Sequence, residues 1–63
     1  MVNVKVYSHD WAELETRIGG KPHRCEVMLK HDLLTDKKGH KKELERLSEM
    51  DWNEVKREYR GCH

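Results

Sequence analysis

Phenylalanine is absent from this 63-residue chain, proline occurs once, and tryptophan and tyrosine contribute two residues each. So few large apolar side chains exclude a thick core, and a chain this short buries only about 60% of the surface it exposes when unfolded. No uninterrupted apolar stretch approaches the roughly 20 residues that a membrane-crossing helix needs. The opening segment, Met1-Val2-Asn3-Val4-Lys5, lacks the apolar centre of a signal peptide. These absences predict a cytoplasmic protein without a membrane segment. Two cysteines are too few for the disulfide framework of a small secreted domain, so free thiols are the first expectation. A Cys25–Cys62 bridge is expected only in an oxidising setting.

A strong charge of one sign is also missing. Thirteen Lys and Arg face twelve Asp and Glu, a net charge of +1, which argues against a protein built mainly to coat phosphate backbones. The charge is uneven along the chain, however, and residues 21–46 hold eight basic side chains against five acidic. Charged residues make up 40% of the chain and apolar ones 35%, so the core must rest on a short set: Val2, Val4, Val6, Trp11, Leu14, Ile18, Val27, Leu29, Leu44, Leu47, Trp52, Val55 and Tyr59.

Two stretches read almost alike. Asp10-Trp11-Ala12-Glu13-Leu14 runs through Ile18 to Gly19-Gly20, and Asp51-Trp52-Asn53-Glu54-Val55 runs through Tyr59 to Gly61. Each has the order of a capped helix, with Asp at the N-cap, Glu three residues on, and Gly at the exit. Two copies preceded by unlike segments do not make a repeat architecture. Convergence of short amphipathic helices on this string is the plainer reading, and a paired Trp surface is the sharper one.

Val2, Val4 and Val6 alternate with polar residues and predict a strand. Trp11, Leu14 and Ile18 fall on one helical stripe and predict a helix over 11–18. Alternation resumes with Cys25, Val27 and Leu29, a second strand over 23–30. Residues 32–39 carry mixed signals and could hold a third short strand. A helix over 40–47, a break at Ser48-Glu49-Met50 and a helix over 51–60 complete the chain, with Met50 stapling onto Val55. The expected fold is a single small α+β domain over 1–63, strand-helix-strand followed by a helical pair. Two strands alone are marginal, so the sheet needs a third strand, the helices over one face, or a second copy pairing edge to edge.

Candidate chemistry is sparse. His23, Cys25, Cys62 and His63 supply the donor set of a structural zinc site, but His23 and Cys25 lack the turn that a zinc knuckle places between ligands. No cofactor is expected. Ser8-His9-Asp10 has the residue types of a triad in a row, whereas real triads assemble from distant segments. Gly19-Gly20-Lys21-Pro22 puts proline where a phosphate-binding helix would begin. A non-enzymatic binding module follows, regulatory or inhibitory, docking on a protein partner through Trp11, Trp52 and Tyr59. The alternative is a nucleic-acid-binding regulator. It would use the basic loop Lys37, Lys38, Lys41 and Lys42, with Lys56, Arg57 and Arg60 on the second helix of a helix-turn-helix-like pair.

Overall fold

The computed structural model describes residues 2–62. Three strands, β1 (Asn3–Ser8), β2 (Trp11–Ile18) and β3 (Lys21–Met28), precede two helices, α1 (Lys37–Glu49) and α2 (Trp52–Glu58). The sheet is antiparallel with order β1-β2-β3. The α+β class with its closing helical pair therefore holds, but residues 11–18 are the central strand and not a helix.

The correction has a local cause. Gly19 and Gly20 have φ of 59° and 81°, the positive pair that a two-residue hairpin turn of type I′ requires. A Gly-Gly exit that resembles a helix C-cap is thus the bend between β2 and β3. Once β2 is extended, Ala12 and Leu14 point to one face and are fully buried, while Trp11, Glu13, Glu15 and Arg17 take the other. The register sets Val4 beside Leu14 and Leu14 beside Cys25, and Ala12 beside Val27.

Against that face pack Leu47, Met50, Trp52, Val55 and Tyr59 from the helical half, with Val2, Val27 and Leu29 from the sheet and its flanks. Val4 and Leu44 sit at the margin. Val6 and Ile18, both expected inside, are 42% and 50% exposed and stand outside the core cluster. Trp11 is half-buried on the opposite face.

Residues 32–36 form turns instead of a third short strand: Asp32 accepts the Leu34 amide on its carboxylate and the Asp36 amide on its carbonyl. Asp36 caps α1, its carboxylate accepting the Gly39 amide at 2.9 Å. Hence α1 begins at Lys37, and the lysine cluster expected in a loop lies on the first two turns of a helix. Met50 and Asp51 join α1 to α2.

Cys25 and Cys62 form a disulfide across 37 residues, which overturns the expectation of free thiols. Both halves are buried. Closing a loop of that length stabilises a fold by about 4 kcal/mol in the chain-entropy picture, a large contribution for so thin a core.

Candidate functional site

The site begins with a buried carboxylate. Glu43, on the inner face of α1, accepts the Tyr59 hydroxyl at 2.5 Å and the backbone amides of Lys30 and His31 at 2.8 Å each. His31 Nδ1 lies 3.0 Å from the same carboxylate. Burial pushes the Glu43 pKa up, yet the donors, Tyr59 foremost, outweigh it and hold the group below its ordinary value. Burial, then the Glu43 contact, push the Tyr59 hydroxyl in the opposite direction, upward. A neutral phenol therefore donates to an ionised carboxylate, tying together the end of α2, α1 and the chain after β3.

Around that anchor the side chains of Lys30, Arg46 and Glu58 converge. Arg46 meets Glu58 through two bonds of 3.1 and 3.0 Å, and Lys30 Nζ is 3.6 Å from Glu58 and 5.0 Å from the centre of the Tyr59 ring. The Tyr59 ring is fixed between the helices and the sheet.

Beside it opens a cleft of about 510 Å³ lined by Trp11, Glu26, Met28, Lys30, Tyr59 and Arg60, among others. Trp11 and Met28 are cross-strand partners on β2 and β3, and Met28 is 56% exposed. Two of the three expected anchors, Trp11 and Tyr59, thus line one cleft, Trp11 half-buried and Tyr59 only 4% exposed. Trp52 does not join them: it is 5% exposed within the core, its ring 6.4 Å from that of His23, and its Nε1 has no partner among the described residues.

The expected cations are all exposed and lie on three elements. Lys37, Lys38, Lys41 and Lys42 occupy the start of α1 on the side away from buried His40, Glu43 and Leu47. Lys56 and Arg57 end α2, whereas Arg60 belongs to the cleft. The pairs 37/41 and 38/42 set like charges one turn apart at the positive end of the helix dipole, with no acid in the first turn. α2 has seven residues, and its end folds back along α1 through the Arg46–Glu58 and Glu43–Tyr59 contacts.

The zinc set is not assembled. Cys25 and Cys62 are spent on each other, His23 packs by Trp52, and His63 lies outside the described residues. The structure instead brings His9, Asp10 and Asp32 together, with ligand atoms within 4.8 Å of one another. His9 Nδ1 is 2.8 Å from Asp32 and 3.8 Å from Asp10. The Leu34 amide, with help from His9, keeps the half-buried Asp32 carboxyl below its ordinary range.

Sequence reasoning missed Met28, Lys30, Glu26 and Glu43. The alternation over 23–30 already puts Glu26 and Met28 on one face, but their pairing with Trp11 is visible only when 11–18 is a strand. Glu43 carries no local signal, since its donors lie 12 to 16 residues away. No helix among the described residues is long and apolar enough to cross a membrane. No family model, curated protein or solved structure matches the chain.

Proposed function

We propose that the protein is a non-enzymatic binding module, regulatory or inhibitory in role, whose partner is a protein seated in the Trp11–Met28–Tyr59 cleft. The observation that carries this reading is the meeting of Trp11 and Tyr59 with an exposed methionine in one cleft flanked by Glu26, Lys30 and Arg60. Tryptophan gives a rigid apolar anchor, methionine adapts to the shape of what it meets, and charges at the rim orient the partner. The closed disulfide supports a working place in an oxidising compartment and stands against the cytoplasmic expectation.

The α1 lysines favour a second reading, nucleic-acid binding. Four cations held on one helix face at a local electrostatic cost are what a phosphate backbone would repay. Affinity capture separates the two. Docking requires a partner that resists nuclease, survives Gln at all four lysines and is lost with Met28→Glu. A partner lost on nuclease treatment or with the Gln variant, and retained by Met28→Glu, supports the second reading instead.

A further inference from the structure

The two-residue turn between Ile18 and Lys21, and the Leu29 amide donating to the Asp10 carbonyl at 2.7 Å, fix which backbone groups of β3 face β2. Odd-numbered residues pair inward. The amides of Arg24, Glu26 and Met28, and the carbonyls of Pro22, Arg24, Glu26 and Met28, therefore point away from the sheet. None has a backbone partner among the described residues. Pro22, which has no amide to leave unpaired, is placed where an edge strand accepts proline.

Among the described residues, the tail approaches this edge at Gly61. Gly61 has φ of 96° and sits so close to β3 that a Cβ there would be 3.3 Å from the outward Glu26 carbonyl oxygen. Beyond their own turn, residues 60–62 have no backbone hydrogen bond to the sheet among the described residues. Tyr59 is held by Glu43 and by its amide bond to the Val55 carbonyl, so it stays without help. Among the described residues, the covalent tie on the three residues after it is the Cys25–Cys62 bond.

We propose that this bond is a latch on the β3 edge, and that opening it lets a second copy of the chain pair β3 against β3. A dithiol reductant breaks the sulfur–sulfur bond; Cys25 and Cys62 each take up a proton as thiols, and the reductant becomes its own disulfide. The occupant is argued from charge. An antiparallel two-fold centred on Cys25 sets Arg24 of each copy, whose Nε donates to Glu15 of its own chain at 2.7 Å, opposite Glu26 of the other, both hydrogen-bonded positions with exposed side chains on the open face. Met28 donates to the carbonyl opposite, that of Pro22. The result is a continuous six-stranded sheet. This inference does not rest on the docking reading, because no other partner is involved.

The test is mass by light scattering, with far-UV circular dichroism to confirm the fold. The oxidised protein should be monomeric. Reduced protein and Cys62→Ser should run at twice that mass with their helices retained. In the Cys62→Ser background Arg24→Glu should restore the monomer, and adding Glu26→Arg should bring the dimer back. The two Cys25 thiols would then face each other at a non-hydrogen-bonded pair, where Cα atoms approach to about 4.5 Å, within disulfide reach. Mild oxidation of the Cys62→Ser dimer should accordingly cross-link it. A reduced form that stays monomeric, one that unfolds outright, or a dimer indifferent to Arg24→Glu would overturn the proposal.

Discussion

The Tyr59 hydroxyl donates to the Glu43 carboxylate at 2.5 Å, joining the residue after α2 to the middle of α1. Both groups are buried, so this contact holds Tyr59 and the end of α2 against α1, while the residues beyond it depend on the Cys25–Cys62 bond. Tyr59→Phe removes one donor and leaves Glu43 with the two amides and His31. A loss of about 1–3 kcal/mol is expected, from a buried acceptor left partly unsatisfied. Denaturant titration of the oxidised protein measures it, and an unchanged midpoint would contradict the role given to the pair.

The same pair sets the pH limits of stability. The folded-state pKa of Glu43 is lowered, so its contribution is complete above the unfolded value of about 4.3 and fades as pH falls through the folded one. The Tyr59 pKa is raised, so its contribution is complete below about pH 10 and fades as pH climbs beyond. Glu43→Gln should flatten the acid limb of a stability–pH curve and lower the plateau at neutrality. An acid limb of unchanged steepness would remove Glu43 from the account.

Gly39 offers a test of sign. Alanine in a helix interior normally stabilises by about 1 kcal/mol relative to glycine. Here a Cβ would lie 2.6 Å from His31 Cδ2 and collide with the Asp36 cap. Gly39→Ala should therefore destabilise, by about 1–3 kcal/mol as overpacked sites do, with the midpoint moving down. An upward shift would show that His31 and Asp36 yield freely.

The two tryptophans should part company. Trp52→Ala empties a core position and should cost about 3–5 kcal/mol, whereas Trp11→Ala changes a half-exposed residue and should cost far less while abolishing partner capture. Thermal melts and capture assays run side by side read both. Equal destabilisation by the two changes would place Trp11 in the core after all.

Much of this was legible in the sequence, and the failures are instructive. The valine alternation marks β1, and Asp51 marks the start of α2 although its side chain makes no cap hydrogen bond there, because each depends on neighbours in the chain. Residues 11–18 carry two periods at once: Trp11, Leu14 and Ile18 fit a helix, while Ala12, Leu14 and Thr16 fit a strand. A helix reading had only its own cap and exit to support it, whereas the strand gains ladders on both sides, and tertiary pairing wins over local propensity. Trp52 resembles Trp11 in its local sequence and differs from it entirely in burial, since one heads a helix over the core and the other a strand on the open face. The Cys25–Cys62 pairing was expected only for an oxidising setting, because whether the two thiols meet depends on the fold of β3 against the tail.

The docking cleft is tested most directly by a photo-crosslinking residue placed at Met28, with Arg17, also exposed and on the neighbouring strand, as the control position. Illumination in extracts of the native source should yield a protein adduct at position 28, absent at 17 and unchanged by nuclease. Adducts equal at both positions, adducts removed by nuclease, or none at 28 would contradict the reading of Trp11, Met28 and Tyr59 as a site for a protein partner.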